Sequence, residues 1–208
     1  MAIYTSEWNY YKTHGEAEEY LDYLSNSTVE LFHILEFELG IPVEVICDYN
    51  IYNGELDSYE LVFLPCQIFV PKESRLAIIE YAQNGGKLIQ DYRFAEFDEY
   101  GRMTDEESRE IFGLMAQSSI GDKVKLNSLG GSKNDFSLKS AYKNIPVCYT
   151  FAVTQNNRNL FSTKDYGDIG AITDRTVTWG FQPQLQYMES GDKRYVQFIN
   201  ESILLLSN

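Results

Sequence analysis

The sequence predicts an α/β protein: a Rossmann-like (flavodoxin-like), doubly wound, mostly parallel sheet with helices on both faces. Three observations carry this expectation. Leu61–Leu64 reads LVFL, the unbroken apolar run of a central parallel strand buried on both faces. Strand patterns at Ala2–Ser6 and Leu61–Leu64 are each followed by a helix-length segment and a further strand, the crossover spacing that parallel neighbours need. The turn Asn84-Gly85-Gly86 then stops a helical pattern just before the apolar run at Lys87–Gln90.

In chain order, the opening strand Ala2–Ser6 runs into Glu7-Trp8-Asn9-Tyr10-Tyr11, at what would be a strand C-terminus. Gly15–Leu39 reads as helix, with Leu21, Leu24, Leu31 and Leu35 on one face, Gly40 as its stop and Ser25–Thr28 as a possible break. Pro42–Cys47 is the next strand, and Asp48–Ser58 a loop turning at Asn53-Gly54. Pro71 opens a helix whose inward residues are Leu76, Ile79 and Ala82. Thr104-Asp-Glu-Glu107 is a capping box, which predicts a helix to Phe112.

The later part changes character. Gln117–Asn144 is rich in Ser, Gly, Lys and Asn and reads as loops and short strands. Val147–Val153 is a strand, and Gly170–Thr173 and Arg175–Phe181 pair around Asp174. A last helix, Asp192–Leu206, turns Tyr195, Phe198, Ile199, Ile203 and Leu206 inward. No linker interrupts the pattern, so the 208 residues read as one domain, regular over 1–115 and more irregular over 116–208.

Composition narrows the function. The formal net charge of -14 repels phosphate backbones and anionic membranes, so neither nucleic acid nor membrane is an expected partner. Cys47, Cys66 and Cys148 are odd in number and widely spaced, with neither zinc-site nor disulfide patterning. Met1-Ala2-Ile3-Tyr4 enters a strand directly and no apolar run has membrane-span length; the expected compartment is the cytoplasm. Gly85-Gly86 and Gly130-Gly131 lie in no phosphate-binding pattern, and no cofactor or metal is expected.

Cys66 follows a buried strand and invites a catalytic reading. A thiol needs a nearby base or a lowered pKa to act at neutral pH. The only histidines are His14, in a loop, and His33, inside a helix. The better reading is a small buried apolar residue, and no catalytic residue is assigned. Glu7, Asp48, Asp91, Glu96, Asp98 and Glu99 offer carboxylates, but solvated or locally paired acids are the commoner outcome. Asp98–Arg102 reads as a turn with Gly101 left-handed. Trp8, Tyr10, Tyr11, Tyr92, Arg93 and Phe94 would cluster at one sheet edge, and such aromatic platforms suit an interface or a sugar. From this set Glu7, Trp8, Tyr92 and Arg93 are the ligand or interface candidates.

The ordered pieces IYTSEWNYY, Gly40-Ile-Pro-Val-Glu-Val, Tyr59-Glu-Leu-Val-Phe-Leu-Pro, Tyr81-Ala-Gln-Asn-Gly-Gly-Lys-Leu-Ile-Gln-Asp-Tyr-Arg and Ser108-Arg-Glu-Ile-Phe-Gly-Leu carry a resemblance over 1–115. The chain resembles the class I glutamine amidotransferase-like superfamily, and most closely the trimerisation domain of TIM-barrel bacterial beta-galactosidases. In active amidotransferases the nucleophilic Cys follows the strand matched by Lys87–Gln90. The matching positions here are Asp91, Tyr92 and Arg93. Cys66 matches the region of oxyanion-stabilising backbone groups. The catalytic His of a late F-H-P-E segment is matched by Phe181-Gln182-Pro183-Gln184. The resemblance therefore implies a non-catalytic domain. Its implied partners are further copies of itself, as trimer or dimer, or a TIM-barrel glycoside hydrolase domain, whose barrel holds the catalytic glutamates. A carbohydrate-binding module and a degenerate amidotransferase-type hydrolase are the alternatives.

Overall fold

The computed structural model describes residues 1–13, 18–91, 93–104, 114–120, 123–126, 136–139, 148–153, 158–163 and 167–207. Its main sheet has seven strands in the order β2-β1-β3-β4-β11-β10-β9. These are β1 (Ala2–Tyr4), β2 (Glu44–Ile46), β3 (Leu61–Leu64), β4 (Lys87–Asp91), β9 (Arg158–Thr163), β10 (Gly167–Ile172) and β11 (Thr176–Trp179). Pairing is parallel from β2 through β11 and antiparallel for β11–β10 and β10–β9. Two antiparallel pairs form ladders of their own beside it: β5 (Leu114–Ile120) with β8 (Cys148–Val153), and β6 (Lys123–Leu126) with β7 (Phe136–Lys139). The expected α/β, mostly parallel architecture is the one observed.

Period-two alternation sends side chains to both faces of the central strands. Ile3, Leu61, Phe63, Ile89, Val177 and Trp179 point to one face. There they meet Leu31 of α2 (Glu18–His33), Ile34 and Leu35 of a π-helical turn (Ile34–Glu38), and the last helix. Ala2, Tyr4, Val62, Leu64 and Leu88 point to the other, against Ile51 of α3 (Asp48–Tyr52) and Ile78 and Tyr81 of α4 (Lys72–Gln83). The remaining α-helices among the described residues are α1 (Glu7–Thr13), α5 (Pro183–Ser190) and α6 (Lys193–Ser207). On α6 the five residues expected to face inward are all buried.

Several expectations need correction. The aromatic sequel to β1 is a helix, α1. Ser6 starts it by accepting from the Trp8 N–H (3.3 Å) through its hydroxyl, an N-cap bond. The expected break at Ser25–Thr28 is absent, because α2 runs through it with Ser27 buried. Asp48–Ser58 is not a loop. It holds α3, started by reciprocal Cys47–Asn50 capping, and a 3-10 turn at Glu55–Ser58, separated by left-handed Gly54. Leu76 is 48% exposed; the inward face of α4 is Ser74, Arg75, Ile78, Ile79, Tyr81 and Ala82. The strand β9 and the helix α5 were not anticipated. The helix expected after Thr104 falls outside the described residues, as does His14.

The turn after α4 has a packing reason. Gly85 sits at φ +111°, and a Cβ on Gly86 would lie 2.2 Å from the Tyr81 ring. That ring is fixed, because its hydroxyl donates to the Tyr59 carbonyl at 2.9 Å.

Candidate functional site

In an open parallel sheet the C-terminal edge is where ligands bind. Here that edge carries a continuous polar belt, built from the ends of β1, β3, β4 and β11 and the helices that follow them.

At β1 the anchor is Asp48, buried at the start of α3. Its Oδ1 accepts from Tyr4 Oη and Ser74 Oγ, both at 2.5 Å. Its Oδ2 accepts from Ser6 Oγ (3.0 Å) and the Glu7 N–H (3.3 Å). One carboxylate thus ties together β1, α1, α3 and α4. Tyr4 is pushed well above the ordinary tyrosine range, first by burial and then by the Asp48 charge.

At β3 the chain passes through Cys66 in a left-handed conformation, φ 54°. Such a conformation is uncommon for a residue with a Cβ and is held by surrounding bonds. The Cys66 N–H donates to Asp91 Oδ2. Gln67 accepts from the Ser6 N–H and Asn9 Nδ2 (both 2.7 Å) and donates to the Pro65 carbonyl (2.6 Å). Asn9 Oδ1 in turn accepts from the N–H groups of Ile68 (3.1 Å) and Phe69 (3.0 Å). α1 is thereby stitched to the turn after β3.

At β4, Asp91 is buried and accepts three donors: the Cys66 N–H, Gln182 Nε2 (3.1 Å) and the Arg93 N–H (3.3 Å). Burial pushes its pKa up to about 6, against the lowering effect of these bonds. Cys66 is fully buried. Burial, and then the neighbouring Asp91 charge, push its thiol well above the usual cysteine range.

The four named candidates fare differently. Glu7 is exposed and enters the belt only through its backbone N–H. Trp8 is half-buried and meets Tyr11 edge-on at 6.0 Å, and Tyr11 meets Tyr10 in the same way at 6.0 Å. Tyr10 and Tyr11 are 51% and 63% exposed, so the aromatic group on α1 faces outward. Arg93 pairs with Glu96 at 2.8 Å and joins the belt through its backbone. Tyr92 lies outside the described residues. Phe94 belongs to the buried core beneath α4 and not to an exposed platform. Asp98–Arg102 is a turn closed by Asp98, which accepts from the Arg102 and Tyr100 N–H groups (2.8 and 2.9 Å), with Gly101 at φ +78°.

Sequence reasoning missed Asn9, Asp48 and Gln67 as organisers of this edge. It reached Gln182 only through the F-Q-P-Q match, and the structure brings Gln182 against Asp91.

The family model of the beta-galactosidase trimerisation domain matches residues 3–180. No curated protein sequence matches the chain. Among solved structures it is similar to a beta-galactosidase from Bacillus circulans sp. alkalophilus (TM-score 0.72, 13% identity, 97% of this chain and 30% of that one). It is similar to a catalytic mutant of Gan42B, a GH42 beta-galactosidase from G. stearothermophilus (0.70, 18%, 95% and 30%). It is also similar to a ThuA-like protein from Bacteroides uniformis (0.69, 13%, 99% and 89%). The chain therefore spans about 30% of the two galactosidases and nearly the whole length of the ThuA-like protein.

Proposed function

Since the chain belongs to the beta-galactosidase trimerisation domain family, we propose that it is a non-catalytic assembly domain, acting in oligomer formation or in support of a carbohydrate-active partner. The observation that carries this reading is the closed polar belt. Asp91, Gln182, Gln67 and Asn9 spend their hydrogen bonds on one another and on backbone groups, and Asp48 on the hydroxyls of Tyr4, Ser6 and Ser74 and the Glu7 N–H. A ligand entering that edge would have to break these bonds, and each buried polar group left unpaired costs about 1–3 kcal/mol.

The thiol argument points the same way. Cys66 is buried and its thiolate disfavoured, and Gln182, which donates to the adjacent Asp91, is a carboxamide that cannot act as a base. The partners that fit are further copies of the chain or a TIM-barrel glycoside hydrolase domain.

Light scattering over a concentration series tests the reading. A mass of three protomers, stable on dilution, is the expected result, and a stable dimer supports assembly through a different surface. A monomer at every concentration refutes self-assembly. A second reading, carbohydrate binding, rests on the outward aromatic group Trp8, Tyr10 and Tyr11. A thermal-shift panel of sugars tests it: no stabilisation by any sugar, or equal stabilisation in Trp8→Ala, removes it.

A further inference from the structure

Arg75 lies in the first turn of α4 and is 7% exposed. Its Nε and Nη1 are wholly buried and meet no hydrogen-bond partner. No carboxylate among the described residues forms an ion pair with it. A guanidinium cannot shed its proton to escape this situation, and a buried unpaired charge is strongly unfavourable.

The nearby acids are already committed. Asp48 is held on the neighbouring Ser74 and three other donors. Glu99 accepts the Lys72 N–H at the start of α4, at 3.0 Å. That contact also shows the helix N-terminus doing what its dipole favours, which is binding an oxyanion. So α4 begins with two carboxylates on neutral donors and one guanidinium with two of its three nitrogens buried and unpartnered. Because α4 follows β3, this turn lies at the C-terminal edge of the sheet, beside the polar belt.

We propose that Arg75 is the receptor of a small free oxyanion, a carboxylate or phosphate group, gripped by the planar guanidinium fork at the start of α4. The proposal is independent of the assembly reading. It explains why a full charge is kept where an apolar residue would pack.

The test is thermal melting of the whole chain in chloride buffer, titrated with phosphate, acetate or citrate at constant ionic strength. Arg75→Met keeps the length and removes the charge, and Arg75→Lys keeps the charge and removes the fork. The wild type should gain saturably from one of these anions, by about 5 °C or more at a hundredfold excess over Kd. Arg75→Met should melt above the wild type without anion and gain nothing from it. If Arg75→Met does not fold, a response of Arg75→Lys shifted to higher anion concentration supports the proposal, and an unshifted one overturns it. A flat wild-type response overturns it, as does an equal gain in Arg75→Met. A wild type unmoved by free anions whose light-scattering mass falls in Arg75→Met also overturns it, in favour of a carboxylate from a neighbouring copy.

Discussion

Asp91→Asn probes the belt most directly. The folded-state pKa of Asp91 is about 6, raised from 3.8 by burial. A raised folded pKa means that the folded state holds the proton more tightly than the unfolded state. The associated stability is fully present below about pH 4 and is lost as pH rises through about 6. The interval corresponds to about 3 kcal/mol. For a chain of this size that is a change in Tm of about 6–12 °C. Asparagine keeps a carbonyl oxygen for the Cys66 and Gln182 donors and cannot ionise. Its amide nitrogen cannot accept the Arg93 N–H, so the gain at pH 7 should fall short of the full value. The assay is urea unfolding of both proteins every half unit from pH 4 to 8, taken as a difference so that the other acids cancel. The difference, variant minus wild type, should grow from about pH 4 to about 6 and level off above. Parallel curves would mean that Asp91 does not change protonation in this window, and the account of the belt would fail with it.

Gly86→Ala should lose about 1–3 kcal/mol, because its methyl group meets a Tyr81 ring fixed by Tyr59; denaturant unfolding reads this, and a neutral result would show that the ring can move. Tyr4→Phe removes one of four donors from the buried Asp48 and should cost about 1–3 kcal/mol in the same assay, with little change in circular dichroism. Thiol titration with a disulfide reagent at pH 8 should find Cys47 reactive in the folded protein. Cys66 and Cys148, both buried and the latter with its pKa pushed up to about 12, should react only after unfolding.

Legibility in the sequence followed the strength of the periodic signal. The LVFL strand and the inward face of α6 were readable because burial on two faces, or on one helical stripe, leaves an unambiguous apolar pattern. Leu76 misled because an exposed leucine carries the same signal as a buried one, while the true inward face of α4 includes the polar Ser74 and Arg75. α1 was missed because EWNYYKT is held by polar bonds to Asp48 and Gln67 rather than by an apolar stripe. α5 had a usable signal that went unread: Pro183 at its first turn and left-handed Gly191 at its end. The belt itself joins residues far apart in sequence, such as Asp91 and Gln182, and only folding reveals such a pair.

The left-handed turn at Cys66 gives the edge its most informative detail. Strained backbone after a strand can aim an N–H group at a developing negative charge, which is how an oxyanion is stabilised. At Cys66 that N–H is occupied by the carboxyl group of Asp91, an internal acceptor. Burial, and after it the same carboxylate, raises the thiol pKa, and the carboxylate holds Gln182 in place. A histidine placed at Gln182 would therefore not by itself make a hydrolase. The thiol would still be buried beside a negative charge, and the backbone donor would still be taken. Asp91→Ala would free the donor but leave the thiol as buried as before. Reactivity would need Asp91 removed, a base supplied and the thiol opened to solvent. Until all three change, the Cys66 thiol stays buried beside that carboxyl group, with its N–H already bonded to it.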